Sequence, residues 1–197
     1  MNNYRSIKVV LVGDMYVGKT SLANVFTSST FQDKYSASVG GHFQAKNLPE
    51  LNVTVQLWDT AGMERFRALL PHFMRDAMCA LMVYDVSNKE TFVSVQNYWL
   101  EYVESHAIPN LVKVLVANKA DVQLRAVKEN EGRRFASLHN MLFVETSAKF
   151  GLNVNLLFSE AAKAVTKAFP PVQVEKNGIQ LEKLGYKKEK RCCLMSS

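Results

Sequence analysis

The run Gly13-Asp14-Met15-Tyr16-Val17-Gly18-Lys19-Thr20 constrains this chain more than any other stretch. It satisfies G-x-x-x-x-G-K-[S/T], follows an apolar run at residues 7–12 and opens a helical pattern. Strand, tight loop and helix in that order aim backbone N–H groups at phosphate oxygens. Lys19 adds a point charge toward the β- and γ-phosphates, and the Thr20 hydroxyl is a ligand for Mg²⁺. The loop alone leaves ATP and GTP open.

Residues 7–12, 80–84 and 111–117 are short, nearly continuous apolar runs rich in Val and Leu, and 142–144 is a shorter one. Parallel strands covered on both faces read this way. Helical patterns lie between them at 89–105, at 128–137 and from Leu152 onward. In the last, Val154, Leu157, Phe158, Ala161, Ala162, Val165 and Phe169 share one face. Residues 43–48 and 52–58 flank Pro49-Glu50 as a hairpin that adds one antiparallel strand. The expectation is an α/β fold with a six-stranded, mostly parallel sheet and helices on both faces.

The base is read elsewhere. Asn118-Lys119-Ala120-Asp121 ends the strand at 111–117, the end at which open α/β sheets bind ligands. Guanine presents N1–H and N2–H₂ side by side, and a carboxylate such as Asp121 accepts both. Adenine would leave that carboxylate unpaired, and mismatches of this kind discriminate strongly. The Lys119 stem is suited to lie against the base, and Asn118 to tie the loops together. A third loop, Glu145-Thr146-Ser147-Ala148-Lys149, offers the Ala148 N–H to the guanine O6.

The chain has 197 residues, 48% hydrophobic and 21% charged, which suits one full-sized domain with a core. No apolar run approaches a membrane span. The start MNNYRSIK lacks the apolar centre of a signal peptide, and Asn2 is not the glycine that myristoylation needs. Three cysteines, two adjacent near the end, speak against a disulfide framework and for the cytosol; the four histidines show no metal-ligand spacing. Of the net charge of +6, residues 170–197 carry half, with six Lys/Arg against three Glu. A solvated tail explains this excess better than a nucleic-acid surface, so no nucleic-acid partner is expected. The organisation that follows is a folded unit over 1–169 and an extended, mobile tail over 170–197.

These motifs resemble the Ras-like small GTPases over essentially the whole chain, and within them a divergent Rab. WDTAGMERFR at 58–67, the run LMVYDVS at 81–87, Thr91-Phe92 with Trp99, and the basic C-terminal cysteine pair carry the likeness. The resemblance implies a G domain that binds GTP or GDP with Mg²⁺ and hydrolyses GTP to GDP. It assigns Gly13, Asp14, Tyr16, Val17, Gly18, Lys19, Thr20 and Ser21 to the phosphates. Asn118, Lys119, Asp121, Ser147, Ala148 and Lys149 go to the guanine. Thr20 and Ser38 would ligate the metal, and Asp59 would hold it mainly through water. Phe31 resembles the aromatic that flanks the base, Tyr35 the one that closes over the phosphates, and Gly62 the donor to the γ-phosphate.

The same resemblance implies a switch whose two loops are held by GTP and released on hydrolysis. It implies an exchange factor, a GTPase-activating protein, an escort of the GDI type, and effectors that read the loops. A monomer cycling between cytoplasm and the cytosolic face of intracellular membranes is expected, regulating vesicle traffic. Cys192 and Cys193, behind Lys187, Lys188, Lys190 and Arg191, suit double prenylation, since one lipid chain alone anchors weakly. The ending is not C-a-a-X, and an unmodified solvated tail is the alternative.

Departures from the family pattern matter as much. After Gly62 the pattern has a glutamine that orients the attacking water, and this chain has Met63. A thioether has no N–H and no strong acceptor. Met15 and Tyr16 are bulky where small residues are usual, and Ser38 replaces a threonine. Slow intrinsic hydrolysis is expected, with no certain catalytic side chain. Two readings of Met63 stand: a hydrolysis-deficient, mostly GTP-bound module that recruits effectors, or a switch whose activating protein supplies its own glutamine and arginine. His42 in Val39-Gly40-Gly41-His42-Phe43, and the segment His72-Phe73-Met74-Arg75-Asp76, stray from the Rab forms, so effector identity is not carried over.

Overall fold

The computed structural model describes residues 4–28, 42–60 and 70–170. The strands are β1 (Arg5–Val12), β2 (His42–Leu48), β3 (Val53–Asp59), β4 (Cys79–Asp85), β5 (Val112–Asn118) and β6 (Leu142–Glu145). The helices are α1 (Lys19–Ser28), α2 (Leu70–Met74), α3 (Lys89–Ser94), α4 (Leu100–His106), α5 (Glu129–Leu138) and α6 (Val154–Ala168). A π-turn at Val95–Trp99 joins α3 to α4. The single helical pattern expected over 89–105 therefore contains a step that apolar spacing does not reveal.

One sheet runs in the order β2-β3-β1-β4-β5-β6. Among the named strands of the described residues, β2–β3 is the antiparallel pair, joined through a 3-10 turn at Pro49–Leu51. The six-stranded, mostly parallel sheet expected from the apolar runs is the one found.

Both faces of β1, β4 and β5 are covered over most of their length, which is why they read as continuous apolar runs, whereas β3 alternates buried and half-buried residues. Ile7, Val9 and Leu11 of β1 face Leu22, Ala23 and Phe26 of α1 and the apolar stripe of α6, where the Phe26 and Phe158 rings stack 4.1 Å apart. Val10 and Val12 face the other way, toward Met74, Phe92, Val95, Trp99 and Val103. Each fully buried Leu or Phe contributes roughly 1.5–3 kcal/mol. Cys79 lies in this core, and burial pushes its thiol pKa up, so it is inert. Arg5 closes the unit by donating from Nη1 to the carbonyl of Phe169 at the end of α6.

Helices on opposite faces require the chain to cross over the sheet on either side of β1. The carboxyl ends of β1, β3, β4 and β5 thus converge at the switch point of the topology. In the register, Leu11 stands opposite Asp59, and Asp85 opposite Asn118.

Candidate nucleotide site

The loop after β1 is pressed against the sheet. Gly13 has φ +139°, and a Cβ there would lie 2.2 Å from the Val83 carbonyl oxygen of β4. Gly18 has φ +98°, and a Cβ would meet the Asn118 amide nitrogen at 2.3 Å. Both glycines are required by close backbone approach as well as by conformation. Tyr16 adopts φ 63° without being glycine and leaves its ring 61% exposed at the mouth. A left-handed bulky residue costs about 1–2 kcal/mol, and such strain collects at functional loops.

Lys19 is 3% exposed and donates to the carbonyls of Gly13 at 2.8 Å and Asp14 at 2.7 Å. A buried ammonium held by the loop's own backbone stays within the turn and is not free to wander into solvent. That positions a fixed positive charge where phosphate oxygens would sit. Asp14, assigned to the phosphates by sequence, turns its carboxylate away: Oδ1 accepts from Ser94 Oγ and Trp99 Nε1.

Asn118 is the joint of the site. It is 1% exposed; its Nδ2 donates to the Val17 carbonyl at 2.8 Å, and its Oδ1 accepts from Thr146 Oγ1 at 3.1 Å and Ala148 N at 3.3 Å. Three loops, after β1, β5 and β6, therefore meet on one amide. The Ala148 N–H expected to face a base is directed to Asn118 here. Ser147 is buried and its Oγ accepts from the Phe150 N–H, while Lys149 lies over the Phe150 ring.

The chain turns sharply after Asn118, with Lys119 at φ 63°. Lys119 Nζ donates to Asp85 Oδ2 at 2.5 Å, and the other oxygen of Asp85 accepts from Ser87 N and Oγ. Burial opposes the charge on Asp85 most strongly, but the hydrogen bonds from Lys119 and Ser87 outweigh it and hold the carboxyl below its ordinary range. Asp121 is exposed and forms no hydrogen bond or ion pair among the described residues.

Thr20 is the second residue of α1, and Asp59 ends β3 at 1% exposure. A hydroxyl and a carboxylate are hard oxygen donors. Among the described residues no group of three or more His, Cys, Asp or Glu could hold a metal ion. This donor set fits Mg²⁺, which keeps several waters and borrows phosphate oxygens, better than an ion needing an all-protein cage. Phe31, Tyr35, Ser38, Gly62, Met63, Cys192 and Cys193 lie outside the described residues.

Three contacts escaped the sequence reading. Asp85 was legible in principle, as a carboxylate ending a buried strand at the ligand edge. Thr146 and the Ser94–Trp99 pair had no local signal, because their partners lie 28, 80 and 85 residues away.

A phosphate loop at a switch point, with a carboxylate-bearing base loop tied to it, defines a P-loop nucleotide-binding protein of the guanine-reading kind. A family model described as the Ras family matches residues 8–167. Ras-related protein Rab-18-B of Danio rerio is 38% identical over 181 residues, covering 89% of this chain and 88% of the relative. Ras-related protein Rab-22A of Homo sapiens is 34% identical over 192 residues, 96% of this chain and 98% of the relative. The chain belongs to the Ras family of small GTPases and is Rab-like within it. Members of this family bind GTP and hydrolyse it to GDP.

Proposed function

We propose that the chain is a GTP/GDP switch in vesicle and membrane traffic, slow in intrinsic hydrolysis, which presents its triphosphate form to effectors. The observation that carries this reading is the three-loop joint at Asn118, which couples the phosphate cradle to the base reader. Lys19, held by the Gly13 and Asp14 carbonyls, and the loop amides bind the β- and γ-phosphates. Asp121 accepts N1–H and N2–H₂ of the guanine, and Lys119, braced by Asp85, covers the base. Thr20 and Asp59, with Ser38, hold Mg²⁺, which when bound neutralises charge on the phosphates. Phe31 and Tyr35 close over the nucleotide, and Gly62 donates to the γ-phosphate.

A partner surface lies beside the site. Phe43, 52% exposed on β2, packs edge-on against Trp58 at 5.2 Å, and Trp58 against Phe73 at 5.7 Å. An aromatic row spanning the hairpin and α2 suits the core of a protein interface. Exchange factor, activating protein and GDI-type escort would approach the same side. Geranylgeranyl groups on Cys192 and Cys193, with the basic residues before them, would anchor the chain to an anionic leaflet.

Tyr16 at the loop's mouth, with Met15 and Met63, favours a second reading: a module that stays GTP-bound because hydrolysis has been lost. The ratio of GTP to GDP on protein isolated from its own cells separates the two. A switch carries both nucleotides; the locked module carries GTP almost alone. A purified chain that prefers ATP over GTP sinks both readings. Mass spectrometry of the native C-terminal peptide tests the anchor.

A further inference from the structure

Asp14 is an odd residue for the wall of a phosphate cradle, since its negative charge would oppose the ligand. The structure deals with that charge by turning it to the back of the loop. Oδ1 accepts from Ser94 Oγ at 2.8 Å and from Trp99 Nε1 at 2.7 Å. The backbone of the same residue faces the other way: the Asp14 carbonyl accepts from Lys19 Nζ. One residue thus links the helix that packs behind the loop to the ammonium that holds phosphate.

The helix is built for this contact. Ser94 and Trp99 are five residues apart, and on a regular α-helix that places them roughly 140° apart around the axis. The segment Val95–Trp99 is a π-turn, closed by Leu100 N–H to the Val95 carbonyl, five residues back. The wider turn returns residue 99 to the face of residue 94, so both donors reach one oxygen. Such single π-turns are costly and gather at functional sites. Trp99 itself is 3% exposed and wedged in the core, so its indole cannot swing away.

We propose that Ser94 and Trp99 are positioning residues for the phosphate loop, acting through Asp14 on the carbonyls that hold Lys19 and thereby slowing nucleotide release. This rests on the reading that the loop binds guanine nucleotide. The blander role for Trp99 is that of a core residue whose N–H needs some acceptor. The two roles differ in what they predict when Asp14 is absent.

The test uses the full chain loaded with a fluorescent GDP analogue, chased with excess GDP at fixed Mg²⁺. Ser94→Ala and Trp99→Phe each speed release by about three- to tenfold, and the pair by about thirtyfold, less than the full worth of a bond to a charged acceptor because the bonds act on the nucleotide only through Asp14. Asp14→Ala matches the pair, and adding both changes to it has no further effect on release, because all three act through one oxygen. Asp14→Asn, whose amide oxygen accepts the same bonds, releases more slowly than Asp14→Ala. The proposal is overturned if Ser94→Ala leaves release unchanged, or if the pair's effect adds in full to that of Asp14→Ala. Should Trp99→Phe not fold, Ser94→Ala with the two Asp14 variants decides the matter alone. An unaltered chain that fails to retain the GDP analogue removes the nucleotide reading itself, a result distinct from variants that match the parent.

Discussion

The Asn118 amide donates to the Val17 carbonyl at 2.8 Å, joining the base loop to the phosphate loop across 101 residues of chain. Gly18 is what permits the approach, since any side chain there would occupy the place of that amide. Asn118→Ala leaves the Val17 carbonyl, the Thr146 hydroxyl and the Ala148 N–H without their partner. At about 1–3 kcal/mol for each orphaned buried group, and with less than full additivity, a loss of about 3 kcal/mol is expected. Nucleotide release should quicken on the order of a hundredfold, and urea unfolding should shift to lower midpoint. Unchanged release would show that the loops do not act together.

On the proposed reading, Asp121 carries the choice of base. Its carboxylate is exposed, and a guanine would supply the two donors it lacks. Asp121→Asn puts an amide N–H₂ against donors and forfeits charge-assisted bonds worth about 1.5–3 kcal/mol. GDP affinity should fall between about tenfold and a hundredfold, while ADP affinity changes little. Competition of GDP and ADP against a fluorescent nucleotide reads both. Retained guanine preference in the variant would move base reading elsewhere.

The large features were legible because they are local or periodic. β1, β4 and β5 announce themselves as apolar runs since both faces are buried, and the loop from Gly13 to Thr20 is contiguous. The stripe on α6 is regular enough to locate its buried face. What stayed hidden depends on contact between distant segments. Phe92, Val95, Trp99 and Val103 fit a plain helix, so the one-residue widening at Val95–Trp99 leaves no trace in their spacing. Asp14 looked like a phosphate-side residue because its neighbours are. Only the packing of α3 behind the loop reveals that its carboxylate faces inward.

Acid should loosen the base loop through Asp85. Its carboxyl pKa is depressed in the folded chain, so the unfolded chain takes up the proton first as pH falls. The stabilisation is therefore fully present above the ordinary aspartate value of about 3.9 and is lost as pH drops through the lower folded value. Asp85→Asn keeps the shape but not the charge that faces Lys119. The stability gap between parent and variant, measured by urea unfolding, should be flat from neutral pH down to about 5 and should narrow below about 4. A gap that widens on acidification contradicts this sign.

The slow hydrolysis expected of this chain turns on Met63, which offers no amide to orient a water where the family pattern has glutamine. Met63→Gln restores a donor and an acceptor without touching the Lys19 cradle or Asp121. Single-turnover hydrolysis should accelerate by about tenfold, a barrier change of about 1.4 kcal/mol, with GTP affinity unchanged. Because Met15 is bulky where small residues are usual in the family pattern, Met63→Gln combined with Met15→Gly should gain more than Met63→Gln alone. Equal rates for the parent and Met63→Gln would mean that position 63 does not limit the reaction, and the barrier would then have to be sought at Met15 and Tyr16.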